Sequence, residues 1–264
     1  MNEQLKSPYW SYGAEFLGTA LLVLGGLSAV IFDFGAGSVV ARHLPPAAER
    51  RALTGFLFGA TGCLITLSPL GRISGAHLNP AVSAMFWWRG QLPTRTLLAY
   101  GTAQTAGAAL GAWALRWLWG TRGSDLHYGI TVPGAWGVEW AFAGEVFVTF
   151  CLIAYLLLFT GHARLRPFTP FGVPILFAVL VGVEAPLSGT SANPARSFGP
   201  ALLTGVWTDQ WLYWLAPLIG TTLAVGVFSA DFLRPFQSRV AKLYHFETDI
   251  VGIFKPKGTQ TDLR

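Results

Sequence analysis

Two copies of one short polar motif are the residues of this chain whose types and spacing could do chemistry. Residues 74–83 read SGAHLNPAVS and residues 188–197 read SGTSANPARS, so Asn79 and Asn193 occupy matching places. Asn is a strong N-cap, and Pro is favoured at the first helical position because its missing N–H would be unpaired there anyway. Each Asn-Pro pair therefore predicts a helix that starts abruptly. A single pair would indicate only a turn, but two matching copies predict a paired site.

The helices that follow these motifs are predicted to have about ten residues each, which is too short to cross a bilayer. If their N-termini meet, each contributes a partial charge of about +0.5, which repels a cation or proton and tolerates a neutral dipole such as water. Each Asn carbonyl can cap its own helix while its amide group donates to a solute. A water molecule held by its oxygen would then break a proton wire. The predicted pore motifs are Asn79, Pro80, Ala81, Asn193, Pro194 and Ala195.

Composition predicts that membrane-spanning helices position these motifs. Hydrophobic residues make up 52% of the chain and charged residues 12%, against about 25% charged in soluble domains. The charges leave six apolar stretches near the length of about 20 residues that a spanning helix needs. Two further apolar stretches, 73–88 and 188–205, contain the motifs and are too short to cross. The six predicted spans are about 10–33, 52–70, 96–118, 138–160, 169–187 and 211–233.

The chain also contains an internal repeat. Residues 14–24, AEFLGTALLVL, resemble residues 144–154, GEVFVTFCLIA, with Glu15 and Glu145 in matching places. A carboxylate inside a span needs a partner in the protein interior. Because each half has three spans, the halves lie inverted to each other, which places a functional site at the midplane. We predict one channel domain, 1–233, made of repeats at about 10–119 and 138–233, and a solvated cytoplasmic tail, 234–264.

The Lys and Arg residues predict the orientation. With the N-terminus inside, the cytoplasmic loops and the tail hold most of the 18 Lys and Arg residues, in the direction of the positive-inside rule. We therefore expect a multi-pass protein of the plasma or inner membrane with both termini in the cytoplasm. The net charge of +5 fits that face and needs no nucleic-acid partner.

The motif loops carry a family resemblance. SGAHLNPAVS and SGTSANPARSFGPA resemble the paired signature loops of the aquaporins and glycerol facilitators, AEFLGTALL resembles that family's first helix, and YGTAQTAGAALGA its third. The resemblance covers about residues 10–233. It implies a right-handed bundle of six tilted helices with two re-entrant half-helices, a pore in each subunit and a homotetramer in lipid. It further implies that Glu15 and Glu145 accept hydrogen bonds from the backbone leading into the half-helices.

The same resemblance implies a selectivity filter. Arg196 lies in the first turn of the second half-helix, where the helix dipole disfavours a cation, and a residue placed against local physics usually has a functional reason. The resemblance places Arg196 at an extracellular constriction, with Thr190 as a second member and Val181 as a third, where water-specific relatives typically have His. The fourth member is Phe58, which would narrow the opening, or Gly59, which would leave it wide; we favour Phe58.

These residues point to a passive channel with water as its main permeant. Ser197 and Ala201 stand where glycerol facilitators usually have Asp and a basic residue, and Tyr213-Trp214 resembles the water-channel branch. Val181 favours a looser filter that admits glycerol, ammonia, urea or peroxide. The alternative is therefore a glycerol-facilitator-like channel for small uncharged solutes. In either case we expect protons and ions to be excluded.

Other classes of protein are disfavoured. A secondary transporter needs ionisable groups at the midplane to couple an ion, whereas both motif Asn residues are neutral. An enzyme needs a nucleophile, a base or a metal cluster, and no such spacing occurs in the sequence. Cys63 and Cys151 fall inside predicted spans, where we expect them to be packing residues. We expect no cofactor and no metal.

Overall fold

The computed structural model of the protein describes residues 7–230 and 240–254. All regular secondary structure in these two segments is helical, which confirms the predicted all-α class. Four helices are short: α2 (Val39–His43), α4 (Pro69–Ser74), α5 (Pro80–Trp88) and α9 (Pro194–Thr204). Six are long: α1 (Tyr9–Phe34), α3 (Ala47–Leu67), α6 (Thr94–Ser124), α7 (Val138–Gly161), α8 (Thr169–Ser188) and α10 (Leu212–Phe228).

The second predicted span, 52–70, is divided in the structure. α3 ends at Leu67, and α4 begins at Pro69 after an extended Ser68 with ψ 171°. The helical region is disfavoured for a residue that precedes proline, which explains the break. The hydroxyl of Ser68 then caps α4 by accepting a hydrogen bond from the Leu70 N–H at 3.2 Å.

Two other predicted boundaries also differ from the structure. The third predicted span, 96–118, is part of a longer helix that reaches Ser124, although Gly120 departs from helical dihedral angles. The last predicted span, 211–233, is helical from Leu212 to Phe228. Its final residues, 231–233, lie outside the described residues.

Hydropathy is distributed unevenly among the long helices. Among the described residues, three segments are long and apolar enough to cross a membrane: Tyr9–Phe34, Val138–Gly161 and Arg166–Ser188. α10 is apolar but has only 17 residues. α3 is less apolar because Glu49, Arg50 and Arg51 lie near its start, and α6 because it contains many Gly, Ala and Thr residues. Small residues let helix backbones approach closely; on α6, a Cβ at Gly107 or Gly111 would collide with the backbone of α1. The lower hydropathy of α6 thus reflects packing within the bundle.

The outer surface of the bundle is apolar. Large side chains on four different long helices are mostly exposed: Leu64, Trp117, Phe147 and Val183. Large exposed apolar surfaces mark contact with a membrane or another protein. This surface fits a helical bundle surrounded by lipid.

The two under-length stretches contain the short helices α5 and α9. Each is preceded by non-helical backbone, at residues 75–79 and 189–193. We call these segments the first and the second loop. The bundle encloses both loops, and nearly all of their residues are buried.

Candidate pore

The two loops meet through their Asn residues. The side-chain oxygen of Asn79 accepts a hydrogen bond from the Ala81 N–H at 2.8 Å, and its amide nitrogen donates to the carbonyl of Ala192 at 2.7 Å. In the other loop, the amide nitrogen of Asn193 donates to the carbonyl of Leu78 at 2.9 Å. Each Asn therefore caps its own half-helix and is bonded to the opposite loop. Because an amide group has two N–H donors, each retains a second one.

The Asn193 side chain caps α9 by a pair of contacts. Its oxygen accepts from the N–H groups of Ala195 at 3.1 Å and Arg196 at 3.3 Å. Pro80 and Pro194 are the first residues of their helices, the position that proline's missing N–H favours. The N-termini of α5 and α9, which carry partial positive charge, thus face each other inside the bundle.

A buried carboxylate holds the first loop. The two oxygens of Glu15, on α1, accept hydrogen bonds from the N–H groups of His77 at 3.0 Å and Leu78 at 2.7 Å. The amide of Gln104, on α6, also donates to Glu15, at 2.7 Å. The phenol of Tyr100 donates to the carbonyl of Ser74 at 2.7 Å, just before the loop.

The second loop is held in the same manner. The oxygens of Glu145, on α7, accept hydrogen bonds from the N–H groups of Ser191 at 2.6 Å and Ala192 at 2.8 Å. The hydroxyl of Ser188 also donates to Glu145, at 2.6 Å, while the Ser188 carbonyl accepts from Tyr213 at 2.7 Å. Both loops therefore satisfy buried backbone N–H groups with one carboxylate each.

A cavity of about 80 Å³ lies against both motif Asn residues, and we call it the motif cavity. One water molecule needs about 10–15 Å³ measured in the same way, so the cavity has room for several. Its wall is mostly apolar, with Leu22, Val82, Leu152 and Leu156 among its residues.

A second cavity of about 40 Å³ is lined by the predicted filter residues, and we call it the arginine cavity. The side chain of Arg196 is 5% exposed, and its Nη1 donates to the carbonyl of Gly129 at 2.7 Å. The structure brings Arg196, Thr190, Val181 and Phe58 together on this wall. Gly59 is not part of it.

Phe58 borders both cavities. Its ring stacks on that of Phe177 with 6.0 Å between the centroids, and Phe177 also borders both. Gly59 borders only the motif cavity, and a Cβ there would collide with the backbone of Pro174 on α8. Of the two residues, Phe58 therefore borders both cavities, whereas Gly59 packs α3 on α8.

A family model described as Major intrinsic protein matches residues 4–228 of the chain. The match covers most of its length. The chain belongs to the major intrinsic protein family. It is therefore a multi-pass helical membrane protein, as the sequence predicted.

Relatives of this major intrinsic protein include plant aquaporins. The chain is 36% identical over 230 residues to the "Probable aquaporin TIP4-1" of Oryza sativa subsp. japonica, covering 83% of this chain and 86% of the relative. It is 34% identical over 227 residues to "Aquaporin TIP4-2" of Zea mays, covering 83% and 84%. Its fold matches the X-ray structure of the aquaglyceroporin from Plasmodium falciparum with a TM-score of 0.70 at 20% identity, over 87% of this chain and 99% of that one. These similarities confirm the family resemblance and the aquaporin-like fold.

Sequence reasoning missed three residues at the cavities of this major intrinsic protein. Phe177 precedes Val181 by one helical turn on α8, and that spacing could have indicated a shared face. Asp33 accepts a hydrogen bond at 2.5 Å from the hydroxyl of Thr54. Thr54 lines the arginine cavity. Glu184 accepts a hydrogen bond from the hydroxyl of Thr190. A carboxylate within an apolar span was the available signal for both acids.

The predicted solvated tail is wrong for residues 240–254, which pack beneath the first loop. The Leu243 N–H donates to the carbonyl of Gly75 at 3.0 Å, and Leu243 borders the motif cavity. Val251 and Phe254 are buried. These apolar side chains are buried when the segment docks. The many charged residues of the tail had indicated a solvated segment instead. Residues 234–239 and 255–264 of the predicted tail lie outside the described residues.

Lys242 anchors this docked segment. Its ammonium is buried and donates to the carbonyls of Arg72 at 2.7 Å and Thr248 at 2.5 Å. It also lies 4.7 Å from the centroid of the Phe254 ring. Burial lowers the pKa of Lys242 to about 8; the charge of Arg72 acts in the same direction, and Asp249 opposes it.

Proposed function

We propose that this major intrinsic protein is a passive channel that conducts water and small neutral solutes and excludes protons and ions. The observation that carries the proposal is the meeting of two half-helix N-termini beside the motif cavity. Homologous proteins named aquaporins, at 33–36% identity over most of the chain, support the same function.

The roles of the motif residues follow from their contacts. Asn79 and Asn193 each have one amide hydrogen in a bond to the opposite loop, and the other is available to a solute. A water molecule that accepts from both Asn side chains points its hydrogens away from the helix ends. Pro80, Ala81, Pro194 and Ala195 shape the helix starts that aim these donors. The positive helix ends repel hydronium at the same place.

The filter in this proposal consists of Arg196, Thr190, Val181 and Phe58. Arg196 donates to the solute and repels cations, while Phe58 narrows the passage. Its stacking on Phe177 holds the ring between the cavities. Glu15 and Glu145 hold the two loops in the conformation that brings the motifs together.

Water is the main permeant in our proposal, and facilitation of glycerol or a similar solute is the second candidate. Water is favoured by the small volume of the arginine cavity, about 40 Å³. The second candidate is favoured by Val181, which presents an apolar wall in place of a polar one. The solved aquaglyceroporin from Plasmodium falciparum shares the fold, and the fold alone does not discriminate between the two solutes.

We further propose the assembly and placement of the channel. Residues 1–233 form one channel domain with inverted repeats at about 10–119 and 138–233, and four copies assemble as a homotetramer in the plasma or inner membrane. The Lys and Arg distribution supports cytoplasmic termini. Transport requires no cofactor, metal or enzymatic step, since only passage through the pore is involved.

Stopped-flow light scattering on liposomes with the purified protein tests this function. We expect shrinkage in an impermeant osmolyte to be much faster than in empty liposomes. A parallel challenge with glycerol separates the candidates: accelerated reswelling would establish facilitation of glycerol, and its absence would establish a water-selective filter. Shrinkage at the rate of empty liposomes would contradict the proposed channel.

A further inference from the structure

Two buried carboxylates are bonded to the hydroxyl groups of the arginine cavity. Thr54 and Thr190 line this cavity. The Thr54 hydroxyl donates to Oδ2 of Asp33, which lies in the last turn of α1, and the Thr190 hydroxyl donates to Oε2 of Glu184 on α8. Asp33 is fully buried and Glu184 is 4% exposed. Neither acid belongs to the pair that holds the loops.

These bonds determine what the hydroxyls offer to a solute. A threonine hydroxyl has one proton and two lone pairs. Because Thr54 and Thr190 donate their protons to carboxyl oxygens, only lone pairs remain for the cavity. Arg196 can only donate. The polar side chains of the described cavity wall thus comprise one donor group and two acceptors.

Other threonines of α3 show that a carboxylate is not needed merely to satisfy a hydroxyl. Thr61 and Thr66 donate to the carbonyls of Leu57 and Gly62, four residues earlier in the same helix, at 2.9 Å and 2.8 Å. Thr54 donates instead to Asp33, although burying a carboxylate is energetically costly. The Thr54 hydroxyl at the arginine cavity is therefore bonded differently from the Thr61 and Thr66 hydroxyls of the same helix.

The packing around Glu184 leaves room for its carboxylate. A Cβ at Gly144 of α7 would collide with Oε1 of Glu184. Thr190 itself has a φ of 49°, which a β-branched residue rarely adopts, and its N–H donates to the Ser188 hydroxyl at 3.1 Å. The backbone and the hydroxyl of Thr190 are thus both fixed.

We propose that Glu184, together with Asp33, is a positioning residue that makes the arginine cavity a filter for solutes with several hydrogen-bond donors. The favoured class is small neutral molecules with at least two donors and one acceptor, because such a solute satisfies Thr54, Thr190 and Arg196 together. Solutes that only accept hydrogen bonds leave both hydroxyls unpaired. The inference rests on the proposed channel function and specifies its solute class.

Two solutes of similar size test this inference in proteoliposomes. Acetamide has two N–H donors, and dimethyl sulfoxide only accepts. We expect the channel, after subtraction of empty liposomes, to conduct acetamide faster than dimethyl sulfoxide. Glu184→Leu frees the Thr190 hydroxyl to rotate and donate, so the acetamide-to-sulfoxide permeability ratio should fall about tenfold, the effect of roughly one hydrogen bond.

Further variants separate positioning from a general structural role. Glu184→Gln retains an acceptor for Thr190 and should restore most of the ratio. Gly144→Ala displaces the carboxyl group of Glu184 without removing it and should lower the ratio. Thr190→Val should lower it as well, and adding Glu184→Leu to Thr190→Val should change it no further. Both permeabilities are measured on the same preparation, so a smaller number of folded channels lowers both equally and leaves their ratio unchanged.

The outcomes separate the inference from the proposed function. Water-driven shrinkage at the rate of empty liposomes contradicts the channel itself. Rapid shrinkage without acetamide entry, or an equal loss of both solute permeabilities in every variant, overturns the inference and leaves the water channel standing. A ratio that falls in Glu184→Leu and Gly144→Ala and recovers in Glu184→Gln supports it.

Discussion

The two loops have the same backbone path and different linings. Gly75 and Gly189 have φ values of 86° and 83°, and Leu78 and Ala192, three residues later, have 52° and 50°. In both loops a carboxylate, Glu15 or Glu145, accepts two consecutive backbone N–H groups. The frame that aims the two Asn residues is therefore built twice from one pattern.

The differences lie at side chains that face away from this frame. Val82 of α5 corresponds to Arg196 of α9, and Ala76 of the first loop corresponds to Thr190 of the second. Ala76 and Val82 border the motif cavity, whereas Thr190 and Arg196 border the arginine cavity. In the proposed channel, the repeated residues hold the pore together and the unlike residues select what passes.

A third difference ties the first loop to the docked segment. Nε2 of His77 lies 3.0 Å from the Ala241 carbonyl, and its Nδ1 lies 3.1 Å from the Ser83 hydroxyl. Since a carbonyl only accepts, Nε2 carries the proton and Nδ1 accepts from Ser83. The matching residue of the second loop, Ser191, bonds instead to Ser197 at 2.6 Å. Only the first of the two loops is bonded to residues 240–254 in the described structure.

The largest effect is expected from breaking the shared frame. Glu145→Leu leaves the buried N–H groups of Ser191 and Ala192 unpaired, and each such group costs about 1–3 kcal/mol. We expect loss of water permeability and a stability loss of about 2–6 kcal/mol, seen as a lower thermal unfolding midpoint in detergent. Glu139→Leu, at an exposed position in the first turn of the same helix, is the control. Wild-type permeability in Glu145→Leu would refute the shared-frame account.

A smaller effect is expected from making the half-helices alike. Arg196→Val gives α9 the residue that α5 has at position 82 and removes the charged donor from the arginine cavity. We expect the glycerol-to-water permeability ratio to rise about tenfold, equivalent to roughly 1.4 kcal/mol of barrier. Stopped-flow reswelling measures the ratio, and Arg122→Val, at an exposed position of α6, is the control. An unchanged ratio would mean that Arg196 does not select solutes.

The smallest effect concerns docking beneath the first loop. The pKa of Lys242 is about 8 when docked, against an ordinary 10.5, so above pH 8 the undocked segment binds the extra proton and docking is favoured as pH rises. Between pH 8 and 10 the difference in stability between wild type and Lys242→Met should grow by about 1 kcal/mol in favour of wild type, since solvent partly screens this group. Thermal unfolding at several pH values measures this.

Neighbouring groups determine the choice of pH window. Asp249 and Arg72 are the charged neighbours that act on the pKa of Lys242. Burial lowers the pKa of His245 below 6.5, so this residue is neutral in both states and contributes nothing there. A difference that stays constant from pH 8 to 10 would show that Lys242 keeps its ordinary pKa and is not buried by docking.

The sequence was sufficient to predict the helical membrane class and the family resemblance, both of which are confirmed. An Asn-Pro pair indicates the start of a helix, and a long stretch without charged residues indicates a membrane span. Both signals are local and can be recognised in the sequence. The hydrogen bond between Thr190 and Glu184 depends on the backbone path from α8 into the second loop. The position of Leu243 depends on the packing of segments that are distant in the sequence. Periodicity does not encode such contacts. The pore and filter roles of the predicted residues remain proposals.

The central claim is that the meeting helix ends conduct water and block protons. Its most direct test measures both fluxes in the same proteoliposomes, with light scattering for water and an enclosed pH-sensitive dye for protons. The account predicts osmotic shrinkage far faster than in empty liposomes, while an imposed pH gradient decays at the rate of empty liposomes. Faster decay of the gradient alongside rapid water flow would contradict it.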